Sequence, residues 1–490
     1  MTEAATRSDR GSTGSLASLR KGLSRPVPID SLAALRVLYG LLGVLSATRF
    51  VASGWVERFY GTPQFFFRYE GFAWIPVPSP AGVEVLFGLM ALSGLAIFLG
   101  WRTRAALIVH VAAFAWVELI DVTNYLNHYY LYTLLGLLLA ALPSGRALSL
   151  DARRDPDHAR THVPAAVIWL LRFQVGVVYI GAALAKAQPD WLLHGQPLNI
   201  WLSARASFPL IGPWLDTPLA AIALSWAGFL HDLLAPALLL WRPTRALAYG
   251  ALLVFHGMTL ILFQIGMFPF IMAAAATIFL APDWPRQTLA RLGLARPRVA
   301  SARSATWSPP TLPLHRRALL GLAAAWVAFQ ILMPLRTHLH DGPVIWHEVG
   351  MRWSWRVMLR EKNGTVTFRV RTEPGARERH VAPHAFLTPD QEREMSGQPD
   401  MIWQLARHIA ATFRDRGHPD VEVRVDALCS LNGRSPARLL DPDVDLAAVP
   451  DASALAAVIL PAPAGPPPTL RPVRLALAAR AKPLSASAPR

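Results

Sequence analysis

Nine apolar stretches dominate this chain, and each approaches the length of roughly 20 residues that carries an α-helix across a bilayer. They run from Ser31 to Ala52, Ala81 to Gly100, Arg104 to Ile120, Tyr125 to Leu142, Pro164 to Lys186, Pro218 to Trp241, Ala246 to Ile265, Met267 to Ala281 and Arg317 to Pro334. In hydrocarbon every backbone N–H and C=O must find its partner within the protein, so stretches of this kind fold as helices. The Met267–Ala281 stretch is short and reads as a tilted or partly re-entrant piece. Only 16% of the residues are charged, against about 25% in soluble domains. The expected fold class is therefore mainly α, a multi-pass transmembrane bundle of about 8–9 segments, followed by a small extracytoplasmic α+β domain.

The formal net charge of +16 raises nucleic acid as a partner, but no nucleic-acid-binding motif is present. The cations lie instead in alternate loops. Arg7, Arg10, Arg20, Lys21 and Arg25 precede the first segment, and Arg102 and Arg104 separate the second from the third. Arg146, Arg153, Arg154 and Arg160 separate the fourth from the fifth, and Arg242 and Arg245 follow the sixth. Arg286, Arg291, Arg296, Arg298, Arg303, Arg316 and Arg317 precede the ninth. The positive-inside rule places all of these in the cytoplasm and everything after Pro334 outside it. The expected organisation is a cytoplasmic basic tail at 1–30, a transmembrane domain at 31–338, an extracytoplasmic α+β domain at 339–460, and a disordered Pro-, Ala- and Arg-rich tail at 461–490. No apolar signal-peptide core precedes the first long stretch, so insertion into the cell membrane, plasma or inner, is expected to use that first helix. Cys429 is the single cysteine, which excludes an intrachain disulfide.

Beyond Trp353 the pattern turns to period two. Ser354–Leu359 and Thr365–Arg371 read as strands joined by an Asn363-Gly364 hairpin turn, Pro399 to Arg416 as a helix, and Val421–Asp426 as a half-buried strand.

Lys186 closes the fifth apolar stretch, where a cation costs about 2.5–3.5 kcal/mol at the helix centre. The bland reading is a helix-end lysine that snorkels to the interface. Other polar residues accompany it: Asn127, His128, Arg172, Gln174, Tyr179, His231, Asp232 and His256. Tyr179 and Lys186 are seven residues apart and share one helix face. For an isolated His or Asn, a hydrogen bond between helices worth about 0.6 kcal/mol is the simpler account. Several together with a cation point to a site. His110, His128, His231 and His256 show no i, i+4 ligand spacing, so no metal is assigned, and no Gly-x-Ser-x-Gly nucleophile elbow is present.

These motifs, in this order, resemble the vitamin K-dependent γ-glutamyl carboxylases and their bacterial relatives, which share the horizontally transferred transmembrane (HTTM) domain. The resemblance covers roughly Ser31 to Leu460. It rests on Asp121…Asn127-His128…Tyr130-Leu131-Tyr132, on Leu171-Arg172…Gln174…Val178-Tyr179, and on Lys186 four residues before Asp190-Trp191. Asp232-Leu233, Phe255-His256…Met258 and Ile265–Phe268 continue it, as do Trp353-Ser354-Trp355 and Asp441-Pro442…Val444-Asp445. It implies an enzyme, a carbon–carbon lyase or carboxylase. The cofactor is reduced vitamin K, a menaquinol or phylloquinol type of naphthoquinol, with CO2 and O2 as co-substrates. In the family a base deprotonates the quinol, O2 adds, and an alkoxide on the way to the epoxide removes a γ-proton from a peptide Glu, whose carbanion captures CO2.

Lys186 stands at the position of the family's base, and desolvation in an apolar bundle would suit it to that task. On that basis Lys186 is expected to be needed for turnover and not for folding. His256, Asn127, His128 and Tyr179 are the expected quinone contacts. The partners implied are the lipid bilayer, a quinone drawn from it, and a secreted Glu-containing peptide or protein; no nucleic acid is implied. One departure is visible: the Asn-His pair of the animal enzymes is replaced by Gly145 and Arg146. It keeps open a quinol epoxidase without carboxylation, or a non-enzymatic transport or lipid-handling protein on the same scaffold.

Overall fold

The computed structural model describes residues 18, 21–263, 265–293 and 313–468. Arg7, Arg10, Arg20, Arg296, Arg298, Arg303 and the tail beyond residue 468 lie outside the described residues. Every one of the nine apolar stretches contains a helix: α1 (Asp30–Ala52), α2 (Pro80–Leu99), α3 (Thr103–Glu118), α4 (Asn127–Ala141), α5 (Ala165–Lys186), α6 (Pro218–Leu240), α7 (Arg245–Leu262), α8 (Phe268–Ala276) and, after the short α9 (Trp284–Arg291), α10 (Pro313–Leu335). Their starts follow local chemistry. The Ser79 hydroxyl accepts from the Gly82 N–H ahead of Pro80, and the Thr217 hydroxyl accepts from Ala220 ahead of Pro218, so a cap oxygen and a ring that needs no donor open both helices.

The multi-pass helical class holds, with fewer full-length spans than expected. Among the described residues six helices are long and apolar enough to cross a membrane, or seven if a helix pair bent by 100° at residues 280–283 is one span. The shortfall has local causes. α3 and α4 have only 16 and 15 residues. Between them the Asp121 carboxylate accepts from the Thr123 N–H and winds residues 122–124 into a tight turn. Pro143 follows α4 and cannot donate to it.

α1 to α4 pack as one group and α5 to α7 as a second, with α8 wedged against α1, α4, α5 and α7. At one end the short strands Pro26–Pro28 (β1) and His162–Pro164 (β2) pair antiparallel. The same end holds the arginine-rich loops. Arg36 there is fully buried and donates to the carbonyls of Ile97, Phe98, Ala147 and Leu148. Those carbonyls lie at and just beyond helix ends, where the backbone lacks intrahelical donors.

The C-terminal domain packs on the opposite end. Its sheet has the order β4–β3–β5–β6, with β3 (Lys362–Arg371), β4 (Arg379–Val381), β5 (Glu422–Leu431) and β6 (Ala437–Arg438). The amphipathic helix α11 (Pro399–Asp415) covers one face with Met401, Ile402, Leu405, Ile409 and Ala410, all buried at i, i+3/i+4 spacing. The helix and the Val421–Asp426 strand match expectation, and the strand runs on to Leu431.

The hairpin does not form. Ser354–Leu359 is irregular, and β3 runs straight through Asn363-Gly364 to pair with β5 from Lys362↔Leu431 to Arg371↔Glu422. Gly364 is required there for closeness, not for a turn: a Cβ on it would lie 2.2 Å from the Ser396 carbonyl oxygen. Long-range strand pairing overrode a two-residue turn signal. The first residues of the expected tail lie against the domain, where the Gly465 carbonyl accepts from Arg434 and that of Pro468 from Gln196.

Polar bonds fasten the domain to the bundle. Arg434 grips Asp190 with both terminal nitrogens, at 2.7 and 2.8 Å, and Asn432 donates to the same carboxylate. Gln391 donates to Asp121 and to the Phe65 carbonyl, and Gln404 exchanges two bonds with the Arg68 backbone. Every bundle residue in these contacts belongs to the loops that carry few cations, so the arginine-rich loops and the domain occupy opposite ends.

Candidate functional site

Lys186 is not alone. Its ammonium donates to the Asp232 carboxylate at 2.8 Å, and both side chains are more than nine-tenths buried. The pair joins the C-terminal end of α5 to the middle of α6, 46 residues apart in sequence. A small residue lets the two helices approach, since Gly176 of α5 lies against Pro236 of α6, and Gly228 of α6 makes room for the Trp191 ring beyond α5. Pro236 also has no N–H to give the Asp232 carbonyl four residues earlier, which loosens α6 at the level of the carboxylate. Lys186 lies over the Trp191 ring at 5.4 Å, and Trp191 is fixed by its indole N–H donating to the Ser225 carbonyl. Burial is therefore not the one influence on Lys186: a carboxylate compensates its charge. An ion pair this buried is costly to break, which ties Lys186 to stability as well.

The pair opens into a cavity walled by Val178, Ala182, Leu224, Phe255 and Met272. His256 and Tyr179 line it too, joined by a 3.2 Å hydrogen bond between the Tyr179 hydroxyl and His256 Nε2. His256 Nδ1 is buried with no hydrogen-bond partner among the described residues. His231 stacks on Phe255 at 4.0 Å and stands perpendicular to His256 at 6.1 Å. Thus Lys186, Tyr179 and His256 come together. Tyr179, Ala182 and Lys186 share one face of α5, and His256 and Thr259 one face of α7.

Asn127 and His128 are placed elsewhere. They line a neighbouring cleft of about 560 Å³ between α1–α4 and the C-terminal domain. Asn127 accepts from the Tyr125 hydroxyl and donates to the Arg356 carbonyl, so it ties the bundle to the domain. His128 packs on one side of Phe268 at 5.7 Å, and His256 packs on the same ring at 5.3 Å. Both histidines therefore meet on one phenyl ring.

The segment Trp353–Met358 closes the site from outside. Val357 and Met358 line the Lys186 cavity. Met358 also lines the His128 cleft and a third cleft carrying Arg205, Arg352, Arg356, Arg360 and Arg393. Trp353, Trp355 and Met358 hold φ of 61, 58 and 55°, a left-handed backbone that bulky residues adopt only where packing imposes it. The packing is evident. Trp355 is fully buried, stacks on Tyr130 at 5.0 Å, and sits so close to Gly181 that a Cβ there would lie 2.9 Å from its own.

Sequence reasoning placed Asp232 among the intramembrane polar residues but did not pair it with Lys186. The available signal was the rule that charges inside membranes pair with one another. Trp191 and Met358 carried no such signal. Gly145 and Arg146 lie in the arginine-rich loops, where the Arg146 carbonyl accepts from Arg160 just before α5 begins. α5 spans 22 residues, so this turn stands roughly 30 Å from Lys186 at 1.5 Å per residue.

Two family models match. The HTTM domain model covers residues 24–284, more than half of the chain, and the model of the vitamin K-dependent gamma-carboxylase lumenal domain covers residues 315–464. No solved structure matches the chain.

Proposed function

Because the chain belongs to the gamma-carboxylase-like HTTM family, we propose that it is a vitamin K-dependent γ-glutamyl carboxylase that uses Lys186 and Asp232 to start its reaction. The observation that carries this reading is a buried lysine–carboxylate pair in an apolar cavity bordering an arginine-lined cleft. The lining suits a reduced naphthoquinone, though the cavity of about 90 Å³ would have to widen to take the ring: its walls are apolar, and His256 Nδ1 is a buried polar atom with no hydrogen-bond partner among the described residues. His256, held by Tyr179, would bind one quinol oxygen, and Lys186 would face the other. When bound, the reduced naphthoquinone supplies, with O2, the strong base that takes a γ-proton from the peptide Glu.

The protein's own residues prepare that step. A lysine already paired as an ammonium must give up a proton before it can take one. Asp232 Oδ2, 2.8 Å from Lys186 Nζ, is positioned to receive it. The peptide Glu would enter through the wet cleft, whose lining holds Glu348, Glu361 and Glu394 as well as five arginines; of these Arg205, Arg356 and Arg393 form no salt bridge among the described residues and can receive its carboxylate. Met358 stands where the clefts meet and keeps bulk water from the cavity. The Gly145–Arg146 departure removes no group from this cavity, which favours carboxylation over epoxidation alone. The positive-inside rule sets the C-terminal domain outside the cytoplasm, where a secreted substrate would meet it.

The test is turnover of the purified protein in nanodiscs with reduced menaquinone, O2, labelled bicarbonate and a Glu-containing peptide. Epoxide and labelled peptide formed together are the expected result. Epoxide alone would assign an epoxidase, and neither product would return the chain to a transport or lipid-handling role.

A further inference from the structure

At the end of the bundle away from the C-terminal domain, four arginines surround one cavity of about 210 Å³. Arg25 comes from the segment before β1, Arg172 from α5, Arg242 from the α6–α7 loop and Arg245 from the first turn of α7. No carboxylate lines the cavity, and none of the four takes part in a salt bridge among the described residues. Several arginines elsewhere among the described residues do have an acid: Arg352 has Asp400, Arg360 has Glu348, Arg369 and Arg371 share Glu378, and Arg434 has Asp190. Two of the four cations are also held in place. Arg172 donates to the carbonyls of Ile278, Phe279 and Leu280 and lies over the Trp169 ring at 5.3 Å. Arg245 donates to the carbonyls of Leu239 and Leu240. Arg172 and Arg245 are near enough to repel each other, as are Arg245 and Arg242. A protein that fixes like charges around a cavity, without an acid among them, has built an anion site.

We propose that this cavity binds the phosphate headgroup of an anionic phospholipid. The shared chemistry is a phosphate oxyanion taken by guanidinium forks. Its position favours a lipid as the source. Trp169 is 43% exposed beside the cavity, as an interfacial tryptophan would be, and exposed Leu247 (78%) on α7 extends an apolar surface from the same end. Basic pockets between spanning helices at the arginine-rich face are where anionic headgroups are held. The site lies at the far end of α5 from Lys186 and does not depend on the carboxylase reading.

The experiment measures lipid affinity of the full chain by native mass spectrometry and by titration into phosphatidylcholine nanodiscs of rising phosphatidylglycerol content. Arg172 and Arg245 also cap carbonyls, so the informative variant is Arg25→Gln with Arg242→Gln, whose side chains are exposed. The control is Arg153→Gln with Arg154→Gln, the same charge change at the same end outside the cavity. Phosphatidylglycerol affinity should fall about thirtyfold in the first variant, from roughly 1 kcal/mol per arginine, and by less than threefold in the control. Equal losses in both, or equal retention of phosphatidylcholine and phosphatidylglycerol by the unaltered protein, would overturn the site. Complete displacement of the lipid by millimolar inorganic phosphate would overturn the assignment to a lipid.

Discussion

Replacing Asp232 by Ala separates the two tasks that Lys186 performs. The ion pair is 2.8 Å long, and its side chains are 8% and 9% exposed, so removal of the carboxylate leaves a buried ammonium whose partners among the described residues are the Ala182 carbonyl, at 3.5 Å, and the Trp191 face. Breaking one side of a buried pair costs about 3–5 kcal/mol. Lys186→Met alone leaves a buried carboxylate and costs about as much. The double variant, Lys186→Met with Asp232→Leu, replaces the pair with apolar groups of similar volume and should lie within about 2 kcal/mol of the wild type on either side. The coupling energy of the cycle is then several kcal/mol, far above the 0.5 kcal/mol found for independent sites. Reversible denaturation in detergent micelles, followed by tryptophan fluorescence, measures stability, and quinol oxidation measures turnover. The expected outcome is a stable double variant with no turnover. If the double variant regained wild-type oxidation rates, the pair would be a structural staple and the proposed proton transfer would be wrong. If the single variants were as stable as the wild type, the ion pair itself would not exist.

Four further outcomes follow from the same geometry. Met358→Ala should open the cavity to the arginine-lined cleft, so epoxide formation should continue while CO2 incorporation per epoxide falls several-fold, read from the product ratio. Gly364→Ala forces a Cβ against the Ser396 carbonyl and should destabilise the C-terminal domain by about 1–3 kcal/mol, seen as earlier proteolysis of that domain. Burial pushes the Asp190 carboxyl up, but the bonds from Arg434 and Asn432 outweigh it and hold it below the usual carboxylate range. The stabilisation by Asp190 is therefore complete above the ordinary carboxylate pKa of about 4 and lost as pH falls through the depressed value, so acid below about pH 4 should loosen the domain from the bundle, and Asp190→Asn should abolish that transition in hydrogen exchange. Cys429 is fully buried and should resist maleimide until the domain unfolds, whereas Leu428→Cys, 43% exposed, should react with an impermeant maleimide in intact cells if the domain is extracytoplasmic.

The sequence by itself determined the class of this protein, because hydrophobic length and the obligation to pair backbone groups in lipid act locally. The same holds for α11 and β5, whose periodicities survive without knowledge of neighbours. Lys186 was legible as a site residue since its burial cost is a property of its own position. What only the tertiary structure decided were the pairings. Lys186 and Asp232 are 46 residues apart, and their meeting depends on how Gly176 and Pro236 let α5 and α6 pack. Asn127-His128 and His256 carry similar chemistry in sequence, and His128 and His256 meet on the Phe268 ring because α8 wedges into the bundle. Asn363-Gly364 has the form of a turn and lies within a strand, since pairing along the ten residues of β5 outweighs the preference of two. Helix identity is set by residues a turn apart, whereas a binding cavity is set by residues brought together across the fold, and no local pattern records that distance.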